Sequence, residues 1–341
     1  MRLLVVALVM TCSISLAAQW PVRQDPSVPR DAQGEVDWDA PTPRTADGKP
    51  DFSGLWMRAN SGPPRGGGRG ARGGGQGDGR GRGAGAAGAQ QGDAQQGEAQ
   101  APAGAEGGAP PTGDGPQPGG RGGVALEPAT DRFPFDPAGP PVATFFEAGA
   151  NIEGGLPYTP WAAELRKERL ALQARDNPDA MCMPMGFLQF HQQPQPREII
   201  HLPDRVMIVY EANYGLRTIW TDGRPLPPHG EPQPWWYGYS VGRWEGDTLV
   251  VETNNLRGAE DGPHDGWLDV NGSPYSREAR FIERFRRPMF GQLQVDMTVE
   301  DPKSYTKPWT VRVDFRYLPD QELIEFICNE NQQFRKLIKI D

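Results

Sequence analysis

"GYSVGRWEGDTLVVET", residues 238–253, consists of two apolar runs that flank a short polar tip. The tip, residues 245–247, has glycine at its centre, and glycine readily adopts the positive φ angle that tight hairpin turns need. Leu249 and Val251 lie on one side of the second run and Val250 lies on the other, so we expect this strand to be covered on both faces. The stretch therefore predicts a β-hairpin that belongs to the scaffold of a larger sheet.

Alternating apolar and polar residues continue on both sides of this hairpin. Further strands are predicted around Trp56 and at 197–203, 204–211, 215–223, 279–287, 292–300, 309–317 and 322–328. In 292–300 and 309–317 the alternation is strict, which is typical of antiparallel strands with one buried and one wet face. The predicted fold class is all-β: an antiparallel lipocalin-like barrel, or a strongly curved sheet, of about 8–10 strands. Whether its interior is filled by side chains or encloses a small ligand stays open.

The chain carries one predicted helix, near residues 160–175. Thr159 can cap its first turn, and Trp161, Leu165 and Leu172 share one face. An Asn-Pro pair follows and ends the helix.

Composition divides the rest of the chain. Residues 1–18 resemble a signal peptide, 19–50 are Pro-rich and predicted to form an extended arm, and 51–60 supply the first barrel strand. Residues 61–124 hold almost no large apolar side chains, so burial cannot offset the entropy of folding, and a long disordered insertion is predicted. The remaining residues, 125–341, form the barrel domain.

Charge and targeting limit the function. The formal net charge of −9 argues against a nucleic-acid-binding protein, because phosphate contacts need clustered Lys and Arg. The Arg-rich start of the insertion resembles an RGG tract, which in other settings binds RNA, and the favoured alternative is a solvated linker. No apolar run after the signal peptide reaches the ~18 residues of a membrane span. The mature protein is therefore predicted to be exported, periplasmic or extracellular, without an integral membrane segment and with an unknown oligomeric state.

Two cysteines, Cys182 and Cys328, remain after the signal peptide is removed. An exported protein meets an oxidising compartment, where an even pair usually closes a disulfide. Two buried free thiols are the alternative. No CxxC or HxxxH spacing accompanies these residues, so no metal site is predicted, and no motif indicates a cofactor.

Several blocks of the chain resemble a large group of exported bacterial proteins of unknown function: "TPRTADGKPDFSGLW", "MCMPMG", "SVGRWEGDTLVVET", "WLDVNGSPYS", "EDPKSYTKPWTV" and "ELIEFICNEN". The resemblance covers residues 41–57 and about 180–331, in matching order, and leaves the insertion outside. It implies a fold and export, but no activity. Its blocks include both cysteines, which supports their pairing. Where that group commonly has Pro-His-Ser, this chain has Pro274-Tyr275-Ser276, so no histidine mechanism carries over there.

A second, shorter likeness is to lipocalins. Their first strand carries Gly-x-Trp, and Gly54-Leu55-Trp56 has that form. The likeness implies a tryptophan that closes one end of the barrel and packs against a basic residue late in the chain.

A loop of about 20 residues around 258–278 is the first candidate site, because loops of that length often bind ligands. Its polar side chains, Asp261, His264, Asp265 and Asp269, suggest a divalent-cation or acid–base cluster. The alternative, which we favour, is turn chemistry, because Asp, Asn and Gly bend and cap chains.

Glu283 is the second candidate. It lies two positions from both Phe281 and Phe285 in a predicted strand, so it is expected to lie on the same inward face as these two rings. Burial there would raise the pKa of its carboxyl group and suit it to general acid catalysis or to anchoring a ligand. The alternative is an ion pair with Arg280 or Arg284 at the barrel rim. Glu330 and Asn331 follow the same logic.

Aromatic residues supply the remaining candidates for ligand binding. Trp235, Trp236 and Tyr237 precede the hairpin, and Trp267 lies in the long loop. Such rings can stack on a sugar or aromatic ligand. A plug at the barrel rim is the favoured alternative for the first three.

Three classes of function remain. The first is an exported barrel that binds a small apolar or aromatic molecule. The second is a small-molecule hydrolase or isomerase that uses the inward carboxylate or the 258–278 loop. The third is a structural protein of the cell surface. No motif here specifies a reaction.

Overall fold

The structure is a computed structural model that describes residues 24–59, 136, 138–230 and 234–328. The signal peptide and the insertion predicted above lie outside these ranges, as do Glu330 and Asn331.

Nine β-strands in the described ranges close into one barrel, in which each strand pairs with its neighbours in chain order and the last pairs with the first. They are β1 Gly54–Arg58, β2 Arg197–Leu202, β3 Arg205–Tyr210, β4 Leu216–Trp220, β5 Tyr239–Glu245, β6 Thr248–Asn254, β7 Arg280–Met289, β8 Gln292–Glu300 and β9 Trp309–Tyr317. The prediction of an all-β barrel is confirmed. The hairpin at 238–253 is confirmed as well, with Gly246 at a φ of 60° in its turn.

One neighbouring pair departs from the antiparallel expectation. β4 and β5 run parallel, with Ile219 opposite Ser240, whereas the other eight pairs of the described barrel are antiparallel. Residues 221–238 carry the chain from the end of β4 back to the start of β5. A parallel pair needs such a long connection, since a tight turn joins only antiparallel strands.

The strand predicted at 322–328 is wrong, because residues 321–327 of the described chain have no strand assignment. β1 already pairs with both β2 and β9, so the closed barrel offers no edge for a tenth strand. The burial pattern agrees: Ile324 and Ile327, three positions apart, are 69% and 47% exposed.

The segment after β9 leads instead to a disulfide bond. Cys182 and Cys328 are bonded across 146 positions of sequence, with their Cα atoms 5.6 Å apart. The predicted pairing is confirmed, and the alternative of two free thiols is wrong. The bond ties the segment before β2 to the segment after β9.

The inward faces of β8 and β9 carry the residues that the alternation predicted. All of these are buried: Leu293, Val295, Met297, Val299, Trp309, Val311, Val313 and Phe315. In β6, Leu249, Val250 and Val251 are all buried, so this strand is covered on both faces as predicted.

The two ends of the barrel differ. The hairpin tips at 203–204, 246–247 and 290–291 lie at one end, which we call the hairpin end. The long connections 255–279 and 301–308 lie at the opposite end, which we call the loop end. Long loops on a rigid scaffold often carry function.

Two α-helices are present in the described ranges, α1 Pro160–Ala171 and α2 Phe187–Gln192. Neither has the length and apolar character that crossing a membrane requires. α1 starts at its predicted cap, because the Thr159 side chain accepts a hydrogen bond from the Ala162 N–H.

The predicted apolar face of α1 is only partly right. Leu172 is 44% exposed, whereas Arg169 is buried. The Arg169 guanidinium lies 4.1 Å from the centre of the Trp267 ring, and its nitrogens donate to the Gly266 and Asp265 carbonyls. A long aliphatic stem with a flat cation can cover an aromatic face, so arginine takes a position that periodicity alone assigns to leucine.

The N-terminal arm contains two related modules, PRDAQGEVDW at 29–38 and PRTADGKPDF at 43–52. In each module the arginine side chain donates to the carbonyl of the glycine four residues later, and that glycine has a positive φ. Each arginine also pairs with an aspartate of the barrel domain, Arg30 with Asp320 and Arg44 with Asp247. The duplicated arm therefore packs at the hairpin end.

Phe52, the last residue of the second module, helps to close the hairpin end. Its buried ring lies 5.4 Å from that of Trp244 and 6.3 Å from that of Phe285. Nearby, Trp56 is fully buried, with the Arg287 guanidinium 4.8 Å from its ring.

Candidate functional site

Glu283 lies on the inward face of β7, between Phe281 and Phe285, and is 0% exposed. The two rim arginines pair elsewhere: Arg280 with Glu252, and Arg284 with Glu245. The alternative of a rim ion pair for Glu283 is therefore wrong, and its partners lie inside the barrel.

The first partner is Arg217 of β4. Its guanidinium forms a bidentate ion pair with Glu283, in which Nη1 lies 2.9 Å from Oε1 and Nη2 donates a hydrogen bond to Oε2. The remaining N–H groups donate to the hydroxyls of Ser240 and Thr253, which stand opposite each other on β5 and β6. Both charges are thus enclosed by hydrogen bonds, which a buried ion pair needs.

The second partner is His191 of α2, whose Nε2 lies 2.8 Å from Oε1 of Glu283. All six residues of α2 are buried, and His191 is 2% exposed. Rings of four residues surround the imidazole at centroid distances of 6.0–6.3 Å: Phe187, Tyr210, Phe285 and Phe315. The helix therefore places a polar group inside an aromatic interior.

Local sequence explains how α2 reaches this position. A Cβ at Gly186, the residue before the helix, would stand 1.6 Å from the Trp267 carbonyl oxygen, so only glycine permits this approach. At the other end, Pro194 forces Gln193 into an extended conformation and stops the helix. Arg197 of β2 then donates to the carbonyls of His191 and Gln193, at 2.7 Å each, which satisfies groups that a helix terminus leaves unpaired.

The expected direction of the Glu283 pKa is wrong. Burial alone would raise it, but the Arg217 charge and the hydrogen bonds from His191 and Arg217 outweigh burial and lower the pKa to about 2. Burial also lowers the pKa of His191, which Glu283 opposes only in part. At neutral pH the cluster therefore contains an ionised carboxylate, a charged guanidinium and a neutral imidazole. An ionised Glu283 anchors its neighbours and is no general acid.

In and beside this cluster, buried side-chain atoms of three residues lack partners among the described residues: His191, Gln192 and, at its Nε, Arg197. Nδ1 of His191 accepts and donates no hydrogen bond, and neither amide atom of Gln192 has a partner, although Gln192 is 0% exposed. A buried polar group without a partner costs about 1–3 kcal/mol. Such groups in a native interior point to a bound polar atom.

The 258–278 loop gives its four polar side chains separate partners. Asp261 pairs with Arg277, Asp265 with Arg257, and Nδ1 of His264 lies 2.8 Å from the Asp176 carbonyl oxygen. Asp269 is buried and accepts from the Ala148 N–H and from the N–H and hydroxyl of Ser273. Burial raises the pKa of Asp269, and these hydrogen bonds oppose the rise. This arrangement is the turn chemistry that the sequence favoured.

Within the described ranges, no three His, Cys, Asp or Glu side chains come together in a geometry that holds a metal ion. The loop therefore offers ion pairs and turn hydrogen bonds where the sequence suggested a cation site.

The aromatic candidates separate in the structure. Trp235 is 39% exposed, with its ring 5.4 Å from that of Tyr239, and Trp236 lies beneath the Arg257 guanidinium at 4.6 Å. Tyr237 is half-buried against Phe190, and burial raises its pKa. Trp267 is fully buried and is covered by α1. Only Trp235 thus presents a substantially exposed ring.

Sequence reasoning missed His191, Arg197 and Arg217. From the sequence of β4, the face with Leu216, Thr218 and Trp220 would be assigned to the interior. In the structure, Arg217 is paired with Ile208 of β3 and lies on the inward face instead. One signal was available: a carboxylate buried at Glu283 requires a cation, because buried charges are paired.

Comparison with known proteins gives no match: no family model, no curated protein and no solved structure matches this chain. The fold and the site define a closed β-barrel that holds a carboxylate, an imidazole and a guanidinium in its interior.

Proposed function

We propose that this chain is an exported protein that binds a small, mainly apolar or aromatic molecule inside its barrel, beside His191 and Glu283. The observation that carries the proposal is the buried Nδ1 of His191, which has no hydrogen-bond partner among the described residues although it belongs to a charged cluster in an aromatic interior. The side-chain amide of the next residue, Gln192, is also buried and unpartnered in the described part of the chain. Small-molecule sites have this composition: mostly apolar walls with a few convergent polar groups.

The energetics of the cluster support a functional role. Replacing a buried ion pair by apolar residues of similar volume is often neutral or stabilising by about 1–4 kcal/mol. A barrel that served only as a scaffold would gain nothing from Glu283 and Arg217 at its centre, where both are at most 3% exposed. Departures of this kind from good packing concentrate at functional sites.

Export supports the same proposal from the sequence side. The predicted signal peptide, the resemblance to exported bacterial proteins and the Cys182–Cys328 bond are mutually consistent, since structural disulfides persist in oxidising compartments. Fractionation of the native host tests this part, and recovery of the full-length chain from the cytoplasm with reduced thiols contradicts it.

Native mass spectrometry of the exported, oxidised protein tests ligand binding. We expect an added mass of a few hundred daltons that dissociates on denaturation (order of magnitude for a ligand of this size class). The added mass should be lost in Glu283→Gln and retained in the control Glu245→Gln, whose carboxylate is paired on the outer surface. Circular dichroism establishes that each variant is folded. A folded wild type without added mass, and with no affinity for small aromatic probes, contradicts the proposal.

A second candidate is a proton-transfer enzyme. The observation that favours it is the Glu283–His191 pair, in which a carboxylate orients an imidazole that keeps one basic nitrogen free. Because burial lowers the His191 pKa, this imidazole is a weak base, and binding remains our first proposal. The test is deuterium exchange at the α-carbon of acetophenone in D₂O. Exchange that depends on His191 favours the enzyme, and exchange no faster than in buffer excludes it for this probe.

A further inference from the structure

Among the described residues, the interior cluster of His191, Arg217 and Glu283 has one buried side-chain nitrogen or oxygen without a hydrogen-bond partner. Both oxygens of Glu283 accept bonds, from His191 and from Arg217. Arg217 donates to Glu283, Ser240 and Thr253, and the two hydroxyls lie 2.8 Å from each other. The unused atom is Nδ1 of His191.

The chemical character of that atom follows from its partner. Glu283 is paired with Arg217 and ionised, so it can only accept hydrogen bonds. The nitrogen that faces it, Nε2, must therefore carry the imidazole hydrogen. In a neutral imidazole the other nitrogen is then an acceptor. Nδ1 of His191 is a buried lone pair that requires a donor.

We infer that the interior site takes a small aromatic alcohol, in the simplest case a phenol, whose O–H donates to Nδ1 of His191. This inference rests on the proposed function and names its ligand class. The rings around the imidazole, among them Phe187 and Phe315 at 6.0 Å, suit an aromatic body.

An acceptor at Nδ1 disfavours a carboxylate as the group that contacts this nitrogen. A carboxylate has only acceptor atoms, and at Nδ1 it would oppose a lone pair a few ångströms from the charge of Glu283. Arg217 is already neutralised by Glu283, and Arg197 donates to the carbonyls of His191, Gln193 and Gln195. Sites that hydrogen-bond a ligand hydroxyl discriminate strongly against analogues that lack it.

Isothermal titration of the full-length oxidised protein with phenol, anisole and benzoate tests the inference. Anisole is more apolar than phenol, so burial of apolar surface alone ranks anisole first. We expect phenol to bind about fivefold or more tightly than anisole, the factor that one neutral hydrogen bond supplies, and benzoate to bind least. Equal affinities for phenol and anisole, or tightest binding of benzoate, overturn the donor requirement and leave the proposed binding function standing.

A variant and a spectrum locate the contact. His191→Phe keeps a flat ring but has no hydrogen-bond acceptor, so the ratio of the phenol affinity to the anisole affinity should fall to about one. The control is His264→Gln in the loop, which should retain the preference. The chain has four histidines, so ¹⁵N-imidazole spectra are simple to assign.

These spectra should show His191 protonated at Nε2, and phenol should shift its Nδ1 resonance alone. A hydrogen on Nδ1 in the free protein overturns the inference. No binding of any of the three probes overturns both the inference and the proposed function.

Discussion

Two polar regions of this protein invite comparison, the interior cluster and the 258–278 loop. The loop groups four titratable side chains within nine positions of sequence, yet each has its own partner. The interior cluster joins His191, Arg217 and Glu283 in one hydrogen-bond network. His191 lies 92 positions before Glu283 in the sequence, and Arg217 lies 66 positions before it. Closeness along the chain did not predict which side chains act together.

The difference has a physical cause. Side chains in a loop turn to the nearest backbone or opposite charge, because turns supply many local donors and acceptors. A charge that a strand register forces into an apolar interior has no local partner, and leaving it unpaired costs several kcal/mol. Only groups from other strands or from a buried helix can pair with it. The partners of a buried charge therefore come from distant parts of the sequence.

Arg217→Met tests the interior cluster most severely. It leaves Glu283 buried without its cation, and breaking a buried pair in this way should cost about 3–5 kcal/mol of the free energy of unfolding. Urea denaturation under oxidising conditions measures the cost. The matched control is Arg284→Met on β7, whose side chain is 44% exposed and pairs with Glu245. We expect about 0–1 kcal/mol there, and equal costs for the two variants would contradict the comparison.

Acid should affect the interior through Glu283. Its pKa is about 2 in the folded protein against an ordinary value of 4.5, so the folded pKa is depressed. The corresponding stability, about 3 kcal/mol, is present above pH ~4.5 and is lost as the pH falls towards 2. His191 acts in the same direction below pH ~6.5, because its folded pKa is also lowered.

The cost of Glu283→Gln should therefore shrink as the pH falls from 5 to 3, measured by urea denaturation at each pH. The control Glu245→Gln removes a carboxylate that is exposed on the outer surface, and its cost should stay small throughout. A cost of Glu283→Gln that does not vary with pH would contradict the depressed pKa.

Asp269→Asn probes the loop and should show the opposite trend. The pKa of Asp269 is raised in the folded protein, so its protonation stabilises the fold as the pH falls through that raised pKa. The variant loses one accepting oxygen among three donors, which should cost about 1–2 kcal/mol. That cost should grow, or stay level, on acidification. A cost that falls in parallel with that of Glu283→Gln would remove the distinction between the two regions.

His264→Ala should have the smallest effect. The side chain makes a single described hydrogen bond, to the Asp176 carbonyl, and is partly exposed. We expect a loss below about 1 kcal/mol in thermal or urea denaturation, with ligand binding unchanged. Loss of the co-purified ligand in this variant would move the functional site from the interior to the loop.

Local patterns in the sequence were enough for most of the fold. Strict alternation of apolar and polar residues predicted β8 and β9, and Gly246 predicted the turn between β5 and β6. The two-residue spacing of Phe281, Glu283 and Phe285 predicted that the Glu283 side chain lies on the inward face. The same patterns wrongly predicted a strand at 322–328, because β9 pairs with β1 and leaves no free strand edge in the barrel. They failed again at Arg169, where an aromatic surface from another segment accepted a cation.

The sequence by itself determined the all-β barrel, the cysteine pair and the inward carboxylate. The barrel and the carboxylate follow from the two-residue alternation of neighbouring residues, and the cysteine pair follows from the number of cysteines left after the signal peptide. Only the tertiary structure decided the parallel β4–β5 pair, the buried position of α2 and the partners of Glu283. Those features depend on register and closure, which bring Arg217 and His191 to the same carboxylate from distant segments. The ionised state of Glu283 follows from these partners, since burial without them would raise the pKa of the carboxyl.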